Sequence, residues 1–425
     1  MHNIGVSRVR LTPALGWAAF AALLCGCAGQ GDGGNGTPFF DGPDASADLQ
    51  QLPIRCALFA PIKGFVQRQG ASLTLAGRPF LVGGTNLYYL QQLFANAELG
   101  ESDSQSAGIQ ALDAMVCLRL PVARMWAFNE AKDRSVIRSA PDVFHEVGLR
   151  GLDRAVFEAK SRGIRLILTL TNNWPEYGGL PAMASWIGKT KNDFFRDRRF
   201  QGLWRDYASM LSERVNVYTG LAYKHEPTIL AWELGNEFRC ETCAGTTAVP
   251  DTVGRLARFA KAVFPHQLIA DGGEGFDDEP SLYKGLSNMY PVAGSMGASF
   301  HRLVAIDALD LLSSHFYPRS WGLHPSADAS VWIERHDEIA RAGNKVAYLG
   351  EYGLSGPGEA FGDEVRAAVY DRWLERLFAS TGGLMGFFWQ LVPPGRVNSD
   401  GHGVHPERDS LTVGVVQKWI GAAAP

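Results

Sequence analysis

A single (β/α)8 barrel is the fold class the sequence predicts, on three observations. Eight short, β-rich apolar runs alternate with longer segments of helical period. Polar and acidic residues recur at the C-terminal ends of those runs. The stretch that carries them is long enough for one barrel, which needs about 250 residues and often more. Strands joined by helical crossovers imply a parallel sheet, and eight is the number that closes on itself. A doubly wound open sheet would instead want a Gly-rich phosphate loop after an early strand, and Gly83-Gly84-Thr85-Asn86 lacks that spacing.

In chain order, Arg8 and Arg10 precede an apolar stretch over 11–24. This reads as the charged and hydrophobic regions of a signal peptide. It is shorter than the roughly 20 apolar residues a spanning helix requires. The run closes with Leu23-Leu24-Cys25-Gly26-Cys27-Ala28, which resembles a bacterial lipoprotein cleavage site with Cys27 as the lipidated residue. The alternative is a plain signal peptide cut nearby. Residues 1–27 are therefore expected to direct export, with the protein lipid-anchored at the cell envelope, in the outer membrane, or secreted. Residues 28–55 are rich in Gly and Asp and offer nothing to pack, so a flexible tether is expected there.

The expected catalytic domain spans 56–425. Residues 66–80, with Ala76-Gly77-Arg78-Pro79, suggest a small hairpin closing the bottom of the barrel. Strands are predicted over 80–89, 122–128, 165–171, 229–237, 267–273, 309–317, 345–353 and 384–391. Helices are predicted over 107–118, 144–162, 200–215, 252–263, 330–342 and 363–379. Leu152, Val156 and Ala159 illustrate the helical spacing that separates these segments from the strands. Of the cysteines beyond residue 27, Cys240-x-x-Cys243 could be a redox motif or half a zinc site. No second Cys or His pair stands at zinc spacing, so a local disulfide bracing a loop is the better reading. A Cys56–Cys117 bridge is compatible with an oxidising compartment.

The net charge of −4, with 20% charged and 46% hydrophobic residues, is an ordinary globular balance. It gives no electrostatic reason to expect a nucleic-acid partner. No cofactor or metal constellation is visible; His402 and His405 read as loop residues. A monomer is expected, with the membrane reached only through the lipid.

The chemistry concentrates at the predicted strand ends. Strand two closes with Arg124-Met125-Trp126, strand three with Asn172-Asn173-Trp174 and strand four with Glu233-Leu234-Gly235-Asn236-Glu237. Strand six contributes His315-Phe316-Tyr317, strand seven Gly350-Glu351-Tyr352 and strand eight Trp389-Gln390. In a barrel these ends converge on the face where catalytic sites lie. A lone Glu there is ordinarily a rim residue, but Glu237 and Glu351 follow strands four and seven, which face each other across the mouth. Two such carboxyls are what a retaining glycosidase needs, at about 5–5.5 Å separation. Asn236 could hydrogen-bond a sugar 2-hydroxyl, Tyr317 could hold a nucleophilic carboxylate and Arg124 could keep it ionised. Trp389 offers a flat face for a pyranose ring, and His315 can donate or accept. Trp126 is as well explained by core packing, and Glu233 is expected deeper in the barrel in a structural role.

These residues resemble glycoside hydrolase family 5, and within it the endo-β-1,4-mannanases. The resemblance runs from about residue 80 to 419 through Gly84-Thr85-Asn86-Leu87-Tyr88-Tyr89, Arg124-Met125-Trp126-Ala127-Phe128-Asn129, Tyr177-Gly178-Gly179, Trp232-Glu233-Leu234-Gly235-Asn236-Glu237, His315-Phe316-Tyr317-Pro318, Gly350-Glu351-Tyr352-Gly353 and Phe388-Trp389-Gln390-Leu391. It implies retention, with Glu237 as acid/base and Glu351 as nucleophile, and assigns Arg124, His315, Tyr317 and Trp389 to the active-site shell. Asn172, where many family members have His, favours the mannanase group. Arg239 matches an Arg that contacts sugar on the leaving-group side, and Cys240-x-x-Cys243 matches a loop disulfide of some mannanases. Two features depart: Phe238 replaces the usual Pro, and Arg319-Ser320 replaces an acidic residue. The expected substrate is mannan, glucomannan or galactomannan. The competing readings are another family 5 β-glycanase, an exo-β-mannosidase, or a non-catalytic surface glycan-binding lipoprotein.

Overall fold

The computed structural model describes residues 56–354, 362–380, 382–394, 396 and 400–421. The expected signal peptide, Cys27 and the tether lie outside the described residues.

Three short strands open the domain: β1 (Gln67–Gln69), β2 (Ser72–Leu75) and β3 (Arg78–Pro79) pair antiparallel in sequence order. The expected hairpin is thus a three-stranded sheet. β4 (Val82–Asn86) begins the barrel and is followed by α1 (Leu90–Glu98) and α2 (Ser102–Cys117). β5 (Val122–Trp126) leads through a small ribbon, β6 (Arg138–Ala140) and β7 (Val143–Phe144), into α3 (Glu146–Arg162). β8 (Arg165–Thr169) precedes α4 (Gly179–Trp186) and α5 (Arg198–Glu213). β9 (Ile229–Glu233) precedes α6 (Ala248–Val263), and β10 (Leu268–Ala270) precedes a long loop and the single turn α7 (Phe300–Leu303). β11 (Leu311–Phe316), α8 (Ala327–Ala342), β12 (Val346–Tyr352), α9 (Asp363–Ser380), β13 (Leu384–Phe388) and α10 (Ser410–Val416) complete the chain.

The eight strands β4, β5, β8, β9, β10, β11, β12 and β13 form a closed barrel, every neighbouring pair parallel. Their β-rich apolar composition suits strands buried on both faces, inside by one another and outside by helices. Large side chains such as Trp232 lie in the layer between strands and helices, where its ring stacks on Phe264 at 4.2 Å. Trp232 is therefore a packing residue. The lower barrel interior is filled by Val82, Val122, Leu230, Leu268, Leu311 and Leu384, and Leu73 of β2 joins that cluster from below. The small sheet closes the bottom of the barrel by supplying apolar cover there.

Cys56 is bonded to Cys117 at the end of α2, and Cys240 to Cys243 in the loop after β9. The backbone N–H of Phe59 donates to Arg162 O, and Arg165 Nη1 donates to Gly64 O, so residues 56–66 run beneath the barrel.

Candidate active site

With the bottom closed, the open end is the rim formed by the C-terminal ends of the strands. Arg124 points inward from β5 and is fully buried. Its Nε donates to both oxygens of Glu233, at 2.7 and 2.9 Å. Nη1 reaches Asn86 Oδ1 at 3.0 Å and Glu351 Oε1 at 2.7 Å, while Nη2 reaches Asn236 Oδ1 at 2.8 Å. One guanidinium therefore joins four strand ends, as its rigid fork of donors allows. The second oxygen of Glu351, on β12, accepts from the hydroxyl of Tyr317 at 2.6 Å.

Glu237 lies beyond β9, in a turn where its φ is +56°. A non-glycine residue in the left-handed region stores strain, and such strain concentrates at functional positions. Gly235 and Gly272 make the turn possible: a Cβ on Gly235 would come within 2.3 Å of the Phe238 ring, and one on Gly272 within 2.3 Å of Gly235 O. The carboxyl of Glu237 is held by Trp174 Nε1, which donates to Oε2 at 2.5 Å, and by His315 Nδ1, 2.7 Å from Oε1. His315 Nδ1 is also 3.6 Å from Glu351 Oε2. That ring nitrogen, one oxygen of Glu237 and one of Glu351 all lie within 4.8 Å of one another. The two carboxyls are only 8% and 4% exposed, yet they meet across the mouth.

Burial raises the pKa of both Glu237 and Glu351. His315, Arg124 and Tyr317 pull Glu351 back down, while Arg239 and the Trp174 indole do the same for Glu237. Two carboxyls this close cannot both ionise freely, so they titrate as a pair. Arg124 bonds Glu351 directly, which favours the anion there, while the charge of Glu237 pushes Glu351 up. Burial lowers the pKa of His315 and so favours its neutral ring.

The remaining residues predicted from the sequence fall around this centre. Asn172 bridges to Asn236 through the backbone, and its Oδ1 accepts from Asn236 Nδ2 at 3.1 Å. Trp389 stacks on Tyr88 at 4.7 Å with only 9° between the rings. Trp126 lies 6.0 Å from both and is almost wholly buried, so it supports the aromatic wall from behind. On the opposite side Arg239 gives Nε and Nη2 to Glu274, both at 2.5 Å, and lies over the rings of Trp174 and Phe276. Phe238 turns into a cluster with Phe194 and Phe195, away from the carboxyl pair.

Residues 63–384 match the family described as GH family 5 beta-mannosidase-like. The chain belongs to this family. A mannan endo-1,4-β-mannosidase 2 of Oryza sativa subsp. japonica is 32% identical over 421 residues, covering 93% of this chain and 91% of the relative. The crystal structure of an endo-1,4-β-mannanase from Rhizomucor miehei superposes with a TM-score of 0.73 at 29% identity, covering 85% and 99% of the two chains. An endo-β-1,4-mannanase from Thermotoga petrophila gives 0.71 at 29% identity, over 82% and 78%.

Several neighbours of the carboxyl pair in this family 5 hydrolase escaped the sequence reading as site residues. Trp174 and Asn86 sat inside recognised motifs, and their positions at strand ends were the available signal. Glu274 and Asp400 had none, because each lies in a long loop. Asp400 accepts from Trp389 Nε1 at 2.6 Å and from Gln390 Nε2 at 3.0 Å, which fixes the tilt of the Trp389 ring. His402, in the same loop as expected, brings its ring edge to Tyr317 with centroids 5.2 Å apart.

Proposed function

We propose that this family 5 hydrolase cleaves internal β-1,4-mannosidic bonds of mannan, glucomannan or galactomannan with retention of configuration, using Glu351 as nucleophile and Glu237 as acid/base. The observation that carries the reading is the approach of the two carboxyls to within 4.8 Å, with a direct cation on one and not on the other. That spacing suits a retaining pair at about 5–5.5 Å and leaves no room for the water an inverting pair must hold at about 6.5–9.5 Å.

In the first step Glu351 Oε2 attacks the anomeric carbon while Glu237 gives its proton to the departing glycosidic oxygen. The bond to the leaving sugar breaks as the ester to Glu351 forms. Glu237, now ionised, then takes a proton from water, and the resulting hydroxide equivalent attacks the anomeric carbon and releases Glu351. Arg124 neutralises the carboxylate between steps, and Tyr317 orients it. Asn236 is positioned toward the sugar 2-hydroxyl, Trp389 supports the ring, and His315 keeps Glu237 facing the bond. Arg239, fixed by Glu274, faces the leaving-group side. The mannan preference follows the endo-mannanase relatives and Asn172.

The proposal extends to the whole chain: 1–27 for export with lipidation at Cys27, 28–55 as tether, 56–425 as the catalytic domain, acting as a monomer. Among the described residues no helix is long and apolar enough to cross a membrane.

The test is a product profile on mannan, glucomannan and mannan oligosaccharides. A rapid fall in viscosity with a ladder of short oligosaccharides is expected. Mannose as the sole early product would make the enzyme exo-acting. Faster cleavage of β-1,4-glucan would move it to another β-glycanase, and binding without release would make it a glycan-binding protein.

A further inference from the structure

One carboxylate under the pocket takes no part in the scheme above. Glu233 points inward from β9 and is fully buried. Its Oε1 accepts from Arg124 Nε and from the Tyr348 hydroxyl, both at 2.7 Å. Its Oε2 accepts from Arg124 Nε at 2.9 Å and from Thr169 Oγ1 at 2.6 Å. The donors come from β5, β8 and β12, so the group is fixed by three strands besides its own. Burial alone would push this carboxyl up, but Arg124, Thr169 and Tyr348 together hold it below the ordinary range. The guanidinium of Arg124 beside it favours its anion.

What it anchors is the residue that reaches Glu351 and Asn236. Arg124 is pinned at Nε by Glu233, and from there its two Nη groups fan out to Asn86, Glu351 and Asn236. We infer that Glu233 is a positioning residue for the reaction, acting through Arg124 to aim the Glu351 carboxylate and the Asn236 amide and to share the positive charge that Glu351 would otherwise hold alone. This deepens the reading of Glu351 as nucleophile and rests on it.

A guanidinium between two carboxylates neutralises neither completely. With Glu233 removed, the full charge of Arg124 falls on Glu351, which stabilises its anion and blunts its attack. The direct repulsion between the two carboxylates is lost at the same time, and both changes favour ionisation of Glu351. The charged and titratable groups facing Glu233 are Arg124 and Tyr348, with Asp271 and His315 at longer range. Those facing Glu351 are Arg124, His315, Glu237 and Tyr317. None of them can replace Glu233 on Arg124 Nε, because each is already committed elsewhere or lies on another side of the guanidinium.

The experiment compares kcat/KM against pH for the full chain and for Glu233→Gln, which keeps the shape and removes the charge, on a mannan oligosaccharide. The acidic limb is expected to move down by on the order of one pH unit, the scale of losing one partly screened nearby charge. kcat is expected to fall on the order of 10²-fold, as misplacement of a reacting group does, with a smaller change in KM. A folded Glu233→Gln variant whose acidic limb stays at the wild-type pH would overturn the inference. Should that variant fail to fold, Tyr348→Phe and Thr169→Val each remove one donor to Glu233 and keep every charge. Both are then expected to lower kcat several-fold with KM nearly kept, and wild-type kcat in both would overturn the inference equally. Labelling of the wild type with an activated 2-fluoromannosyl fluoride separates the two levels. A label on Glu351 upholds the nucleophile reading whatever Glu233 does, and a label elsewhere removes that reading and this inference together.

Discussion

At the scale of single residues, the roles of the two carboxyls differ in what their loss should do. Glu351→Ala removes the proposed nucleophile, and turnover is expected to vanish on every substrate. Glu237→Ala removes only the proposed acid/base, so aryl mannosides with good leaving groups should still react. On mannan the loss should be on the order of 10²–10⁴, the usual scale for general acid–base catalysis. Initial rates on both substrate types check this, and full activity of either variant would discredit the assignment. Much of this site was legible in the sequence because Arg124, Glu233, His315 and Glu351 sit within the barrel strands, with Tyr317 one residue beyond, where position in the run determines direction. Glu274 and Asp400 were not legible, because each comes from a loop whose return path depends on packing far from it in sequence. The coupling of Arg239 to Glu274 is of that kind: the Arg could be read from its place beside Glu237, its buried partner could not.

Among the elements, every barrel strand is found where alternation of apolar runs placed it, but each ends early. The strand expected over 229–237 stops at Glu233, and the chain then turns through Gly235 to bring Glu237 round with positive φ. Periodicity could not see this, since Leu234 continues the apolar run while the backbone leaves the ladder. The helices that went unpredicted have equally local reasons. α1 is only nine residues long, buries its polar Gln91, Gln92 and Asn96 along with its apolar residues, and has no side-chain cap at its start. α4 opens Gly-Leu-Pro, a breaker signature that is tolerated in a first turn. The strand sequence itself makes a sharp demand at Gly84 of β4. A Cβ there would lie 1.8 Å from Val122 O, inside the neighbouring strand of the ladder. Gly84→Ala is therefore expected to force β4 and β5 apart, at a cost on the order of 4 kcal/mol or more, the exceptional end of single substitutions. A thermal melt of that variant within about 2 °C of wild type would show that the barrel yields there more easily than close packing allows.

For the whole molecule, buried acids away from the carboxyl pair link stability to pH. Glu130 is buried beside the Tyr177-Gly178-Gly179 turn, its Oε2 accepting from Gly179 N at 3.0 Å, and burial pushes its pKa up to about 8. Burial likewise raises Asp271 to about 7. Between its ordinary value of 4.5 and about 8, Glu130 keeps its proton when folded and loses it when unfolded. The folded state binds more protons in that window, so its stability falls as pH rises through it. Glu130→Gln carries no such proton, and its melting temperature relative to wild type should climb between pH 5 and 8 by upwards of about 2 °C. A constant difference across that range would mean that the carboxyl is already ionised in the fold. At the same scale, Cys27→Ser should shift the protein from the membrane to the soluble fraction of the producing cells, and unchanged fractionation would remove the lipid from the account. The path of residues 56–66 bears on where the proposed tether joins the domain. The described chain starts under the barrel, stapled to the foot of α2 by Cys56–Cys117, while the carboxyl pair opens at the far pole. A lipid-anchored tether, as proposed, meets the domain at its base, on the side opposite the cleft. On that proposal, long polymer chains reach the cleft without passing the point where the tether joins.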